Sequence, residues 1–248
     1  MTAAPTNDSD AQPFTEDKRK RLQKVSTPTI ATLLYKHGYK NAFIQGVSAL
    51  NQTKERLVGP AFTLRYIAAR EDTDPITEFR KPDHPQRVAI ETCPEGHVLV
   101  MDCRQDATAA SAGSILLTRL QVRGGAGCVT DGGIRDAQGA MDLEMPIFTA
   151  KPSAPTNLTK HHAVDINVPI SCGTVPVYPG DVLVGDMDGV MVIPAHMVDQ
   201  ILEEAEPMEL FEEFVLEEVK RGVPIIGLYP ATDPDTEVRF EEWKKNRS

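Results

Sequence analysis

Apolar positions recur along this chain in two periods. Ile30, Leu33 and Leu34 share one helical face behind Ser26-Thr27-Pro28. A capping hydroxyl followed by proline starts a helix and a glycine stops one, which predicts a helix over 29–37 ending at Gly38. Residues 61–67 (AFTLRYI) alternate and predict a strand. Residues 97–102 (HVLVMD) are a continuous apolar run closing on Asp102, the pattern of a strand covered on both faces. Shorter strands are predicted at 127–130, 147–150, 164–168, 175–177, 182–185 and 190–193. Pro179-Gly180-Asp181 and Asp186-Met187-Asp188-Gly189 read as turns between them, the second as a hairpin. Helices are predicted at 87–91, 115–122 and 195–221, with Pro207 expected to kink or break the last.

Between these elements, residues 71–86 are rich in Asp, Pro and charge and read as an excursion of the kind that can line a site. Residues 1–17 are polar and predict a disordered tail. Residues 231–248, proline-bearing and highly charged, predict a C-terminal tail, leaving 18–230 as one domain. The architecture expected is α/β: a single domain with a mixed β core and flanking helices.

Composition narrows the function classes. Of 248 residues, 41% are hydrophobic and 25% charged, an ordinary globular balance. A net charge of −10 argues against non-specific binding to nucleic acid or anionic membrane. An acidic chain that handles an anion must then supply local positive charge. The four cysteines, Cys93, Cys103, Cys128 and Cys172, form no C-x-x-C pair, so a zinc knuckle or redox motif is not expected, and three of them read as buried thiols. The N-terminus lacks an apolar signal core and no apolar run reaches membrane-spanning length, so a cytoplasmic location is expected.

Candidate chemistry concentrates in residues 110–136 (ASAGSILLTRLQVRGGAGCVTDGGIRD). Gly113 lets a backbone approach a ligand closely and precedes a predicted helix, whose N-terminal amides suit a carboxylate. The strand at 127–130 is expected to lead into a turn at Gly132-Gly133, placing Arg135 and Asp136 near a strand's carboxyl end. Arginine offers a planar fork for a carboxylate or keto acid, and aspartate a hard oxygen for Mg²⁺. Singly, Arg135-Asp136 reads as a solvated surface pair and Gly113-Ser114 as a turn or cap; together they outline a site for a small oxo acid.

G-S-I-L-L at 113–117, R-G-G-A-G-C-V-T-D-G-G-I-R-D at 123–136 and G-D-M-D-G-V at 185–190 resemble the signature of the RraA-like family, over about 25–230. That family includes class II 4-hydroxy-4-methyl-2-oxoglutarate / 4-carboxy-4-hydroxy-2-oxoadipate aldolases and the RNase E regulator RraA. The resemblance implies a β/β/α swivelling-type fold, assembled as homotrimers or homohexamers with interfacial sites. It implies that Arg135 contacts the oxo-acid end, that Asp136 holds Mg²⁺ or Mn²⁺, and that the turn at Gly113, Ser114, Ile115, Leu116 and Leu117 holds the substrate carboxylate. It also implies an acidic residue from a late helix of a neighbouring copy, for which Glu212 or Glu213 is the candidate; a solvated helix face is the plain alternative.

The activity implied is metal-dependent retro-aldol cleavage releasing pyruvate, with oxaloacetate decarboxylation beside it. One residue departs from the pattern: Ser114 stands where the aldolases carry a carboxylate. A non-catalytic RNase E regulator, or a dehydratase or hydrolase of a sugar-derived keto acid, therefore stays open. Asp186 and Asp188 are metal ligands by type but fit a tight turn equally. His161-His162 lacks zinc spacing, His97 opens a strand, and 151–157 is a segment that could close over substrate.

Overall fold

The computed structural model describes residues 13–247. It opens with α1 (Glu16–Leu22) and α2 (Thr27–Lys36). Ser26 caps α2, its hydroxyl accepting from the Thr29 N–H at 3.3 Å, with Pro28 in the first turn. The chain then forms β1 (Ser48–Ala49), β2 (Leu57–Ala68), a 3-10 turn at Ile76–Arg80, α3 (Pro85–Thr92), β3 (Val98–Asp102) and β4 (Ala110–Gly113). Next come α4 (Ser114–Val122), β5 (Gly127–Arg135), α5 (Ala137–Met141), β6 (Ile147–Pro152) and β7 (His161–Ile166). β8 (Ile170–Cys172), β9 (Val175–Val177), β10 (Val182–Asp186) and β11 (Gly189–Ile193) precede α6 (Val198–Lys220) and α7 (Pro234–Lys245).

One mixed sheet runs β1-β6-β5-β3-β2-β10-β11, with β4 added on β5 and β7 on β2, while β8 and β9 pair separately. Its centre is parallel (β2 with β3, β3 with β5, β5 with β6) and its flanks antiparallel. This is the expected α/β domain with a mixed β core and flanking helices. β3 explains the layering: Leu99 and Met101 face a core shared with Ile90 of α3 and Leu117 and Leu120 of α4. Val98 and Val100 face a second core with Phe148, Val175 and Val177. Strand side chains alternate faces, so a strand covered on both sides reads as unbroken apolar sequence. A third core packs Ile30, Leu33 and Leu34 of α2 and Ile201 and Leu202 of α6 on β10 and β11. Each such buried side chain contributes about 1.5–3 kcal/mol.

The structure departs from the sequence reading in several places. Gly132-Gly133 is not a turn; it continues β5 to Arg135, with a register shift between Thr130 and Gly133. The glycines serve close packing: a methyl on Gly132 would stand 2.6 Å from Cys103 Sγ, and one on Gly133 2.5 Å from Ser153 Cβ. Asp131 is buried, its carboxylate accepting the amides of Cys103, Gln105 and Gly173 at 2.6, 3.0 and 3.1 Å.

α6 runs unbroken through Pro207. Residues 234–245, expected as tail, form α7, which packs Phe240 and Trp243 on Phe214 of α6. α1 begins inside the expected N-terminal tail, and the part of that expectation at 1–12 lies outside the described residues. The hairpin at Asp186–Gly189 is present, and Asp186 is structural: its carboxylate accepts the Thr27 N–H and hydroxyl at 2.9 and 2.7 Å and the Asp188 N–H at 3.0 Å. All four cysteines are buried free thiols. Among the described residues no helix is long and apolar enough to cross a membrane.

Candidate functional site

The register of β4 on β5 assembles the site. Gly113 pairs with Arg135 across that ladder, so the residue that opens α4 stands beside the residue that closes β5. A methyl group on Gly113 would stand 2.9 Å from Asp136 Oδ2, 3.0 Å from Arg135 Cγ and 3.2 Å from Arg135 Nε. Both side chains therefore fold back over the glycine, and only glycine leaves them that room. Asp136 holds a left-handed backbone (φ 53°, ψ 42°), which turns the chain sharply between β5 and α5.

Arg135 and Asp136 are half-exposed, with side chains 45% and 56% accessible and Nε 3.7 Å from Oδ2. That separation is an ion pair without a hydrogen bond, so both keep their bonding capacity for a ligand.

α4 starts at Ser114 behind Gly113, and no side chain caps it. The amides of Ser114, Ile115 and Leu116 occupy its first three positions, where a helix has no internal acceptor. Leu117 is the fourth: its amide reaches back to Gly113 by helix geometry, and its side chain is buried in the core with Leu120. Ile115 and Leu116 line a cavity of about 150 Å³ together with Gly113, Arg135 and Asp136. Ser114 and Leu117 are not among its lining side chains.

The same cavity is lined by residues of the two segments expected to border a site, 71–86 and 151–157, and by Arg87, which carried no signal in the sequence. Gln86 and Arg87 enter from α3, Phe79 from the excursion, and Thr156 and Asn157 from the segment after β6. That last segment is the one expected to close over substrate. The Arg87 guanidinium lies over the Phe79 ring at 4.2 Å from its centroid. Burial pushes its pKa down, and the positive charge of Arg135 acts in the same direction.

Glu212 and Glu213 lie outside this cavity. Within the chain Glu212 accepts the Tyr229 hydroxyl at 2.8 Å, and Glu213 pairs with Arg247 at 3.1 Å. His162 Nδ1 bonds Asp74 at 2.6 Å and His161 is buried beside Tyr66, so neither histidine joins the site.

The donor set can be tested against a metal. Among the described residues no group of three His, Cys, Asp or Glu side chains converges, which is unlike a structural zinc or calcium cage. Mg²⁺ instead keeps several waters and takes one or two carboxylates beside an oxygen-rich substrate. Asp136, half-exposed and without a hydrogen-bonded cation, fits that use.

A strand-end arginine, a carboxylate and uncapped helix amides around one small cavity describe an α/β protein equipped for a small anionic ligand. The chain belongs to the RraA-like family, whose Aldolase/RraA model matches residues 27–192. A relative from Halalkalibacterium halodurans, provisionally named 4-hydroxy-4-methyl-2-oxoglutarate aldolase, is 34% identical over 74% of this chain and 80% of its own. A protein of the same provisional name from Ectopseudomonas mendocina is 34% identical over 40% of this chain and 61% of its own. The solved structure of Streptomyces coelicolor RraAS2, described as an unusual member of the RNase ES inhibitor RraA protein family, superposes with a TM-score of 0.73. It is 29% identical and covers 82% of this chain and 97% of its own.

Proposed function

We propose that this protein is a divalent-metal-dependent lyase on a small 2-oxo acid, releasing pyruvate by retro-aldol cleavage and decarboxylating oxaloacetate as a side activity. One observation carries the reading: Arg135 and Asp136 fold over Gly113 at the uncapped start of α4, inside one small cavity. The relatives that bear the aldolase name support it.

In this reading the amides of Ser114, Ile115 and Leu116 receive the substrate carboxylate. Asp136 would hold Mg²⁺ or Mn²⁺, which when bound supplies Lewis-acid stabilisation of the 2-oxo acid. The Arg135 fork donates to the oxygen that gains charge as the C–C bond breaks, an interaction worth about 3–4 kcal/mol when preorganised. Glu212 or Glu213, from α6 of a neighbouring copy in a trimer or hexamer, would handle the proton. The one that serves is the one whose Gln variant loses turnover.

The test couples pyruvate release to NADH oxidation by lactate dehydrogenase, with oxaloacetate and 4-hydroxy-2-oxo acids as substrates. Turnover should require Mg²⁺ and vanish with EDTA and in D136A. R135A should lose about 10²–10³-fold, with melting temperatures little changed because both side chains are half-exposed. Ser114, a hydroxyl where the resemblance places a carboxylate, and the likeness to RraAS2 favour a second reading, a regulator without catalysis. No metal-dependent turnover across the panel, with tight RNase E binding, would establish that reading instead.

A further inference from the structure

We propose that Tyr66 and Gln86 are positioning residues: they hold a bulge at Ser111 that sets Gly113, and the amides behind it, beside Arg135. The catalytic part of this rests on the lyase reading of the site.

The register of β4 on β5 is not continuous. Ala110 pairs with Gly133 and Ala112 with Ile134, so Ser111 is one residue more than β5 can answer. An extra residue of this kind is a β-bulge, a feature that re-aims the chain beside active sites. Without it Gly113 would fall opposite Asp136; with it Gly113 pairs with Arg135. The bulge thus decides which side chain meets the start of α4.

A bulged residue leaves the ladder, and its backbone groups need partners elsewhere. The Ser111 carbonyl accepts two side-chain donors from two different elements: the Tyr66 hydroxyl of β2 at 3.1 Å and Gln86 Nε2 of α3 at 2.5 Å. The Ser111 hydroxyl donates to the Gly133 carbonyl at 3.0 Å. Tyr66, Gln86 and Ser111 are all buried, and Tyr66 belongs to the core that holds Ala112, Leu117 and Ile134. Burial pushes the Tyr66 pKa up, so its hydroxyl keeps the proton it donates. A fully satisfied polar cluster in an apolar core fixes one arrangement where apolar packing would tolerate several. Here it fixes the register.

Gln86 lines the cavity and Tyr66 does not, so Tyr66 acts on a ligand only through β4. When the bulge slips, the substrate carboxylate still finds the helix amides. The Arg135 fork then misses the oxygen that gains charge. Loss is therefore expected in kcat rather than KM.

The test uses the full-length protein with Mg²⁺ and the pyruvate-release assay. Y66F and Q86L each leave the carbonyl one donor, and each should lower kcat about fivefold, the worth of one hydrogen bond. KM in Y66F should stay within about twofold of wild type. The double variant should lose about a hundredfold, more than the product of the singles, as for a displacement near 1 Å. In an R135A background the same pair should cost under about threefold, because the group it misaligns is gone. Equal losses with and without Arg135, a rise in KM at constant kcat, or unaltered turnover overturns the proposal. Thermal melts establish folding at the assay temperature. If the double variant melts below it, Y66F alone carries the cycle with R135A.

Amide exchange followed by mass spectrometry supplies a reading without turnover. The variants should speed exchange over residues 110–113 about tenfold or more and leave residues 98–102 unchanged. Unchanged exchange at 110–113 overturns the proposal. If wild type turns no substrate over, the lyase reading falls, and exchange alone decides whether Tyr66 and Gln86 hold β4. If turnover is present and the variants match wild type, the lyase reading stands and the positioning role falls.

Discussion

At the scale of single residues, Gly113 is the position on which the site turns, for steric rather than conformational reasons. Its backbone is extended (φ −131°, ψ 175°), a conformation any residue adopts. What it lacks is a Cβ, and the space a Cβ would take is filled by the ends of Arg135 and Asp136. Both are half-exposed, so in G113A they would swing away rather than break the fold. Displacement of catalytic groups by about 1 Å costs on the order of 10²-fold in rate. G113A is therefore expected to lose about a hundredfold in kcat/KM, with a melting temperature within a few degrees of wild type. A variant that melts much earlier, or that keeps full turnover, would refute the arrangement.

The residue scale also shows what was legible. Gly113, Arg135 and Asp136 could be found because their types and spacing form a local pattern. Arg87 could not: it looks like an ordinary polar residue in its own segment, and only the fold brings it to one cavity with Arg135, while Asn157 was legible only as part of 151–157.

At the scale of elements, legibility followed burial. β3, apolar on both faces, stood out as a run of large side chains. β4, Ala110-Ser111-Ala112-Gly113, is equally buried but carries almost no hydrophobic bulk, so nothing in the sequence marked it as a strand. The glycines of β5 read as a turn because glycine's permissiveness is its commonest use; here its small size is what matters.

The excursion between β2 and α3 makes a prediction of its own. Asp74 pins it: the carboxylate accepts the Arg70 N–H at 2.9 Å and the Thr73 hydroxyl at 3.0 Å and bonds His162 at 2.6 Å. Burial pushes the Asp74 pKa up, but the Arg70 amide, His162 and Thr73 together hold it below its ordinary 3.8. The ionised form is thus favoured by folding. Its stabilisation is present above the unfolded value near 3.8 and is lost as pH falls through the lower folded value.

Because Phe79 on this excursion supports Arg87, loosening it should reach the site. D74N is expected to speed amide exchange over residues 70–80 about tenfold or more and to weaken 2-oxo-acid binding. Wild type should show the same local exchange only below about pH 4. Unchanged exchange in D74N would mean that the excursion is held by something other than Asp74.

At the scale of the molecule, α6 and α7 stand apart from the rest. The family match ends at residue 192, before either helix begins. The first half of α6 contributes Ile201, Leu202 and Ala205 to the core on β10 and β11. Its second half belongs to a separate cluster of Phe214, Val215, Leu228 and Trp243, against which Phe211 and Phe240 pack. α7 hid from the sequence reading for that reason: only Thr236 and Trp243 of its residues are buried, and its surface is charged.

Trp243 is the chain's one tryptophan. It sits 5.9 Å from the Phe214 ring, donates its indole N–H to Glu217 at 2.9 Å, and carries Arg247 over its face at 4.2 Å. Its fluorescence therefore reports the docking of α7 on α6, and circular dichroism in the strand region reports the sheet. This small core shares no side chains with the three sheet cores and is joined to them through the continuous α6, so its docking is expected to be the weaker unit. In a denaturant titration the Trp243 signal should change at a lower concentration than the sheet signal, a failure of two-state coincidence. W243A removes a side chain whose loss typically costs about 3–5 kcal/mol. It should leave the sheet transition, followed by circular dichroism, in place. Coincident transitions in wild type, or a sheet transition in W243A shifted by the full cost of the tryptophan, would show instead that α7 is part of one cooperative core.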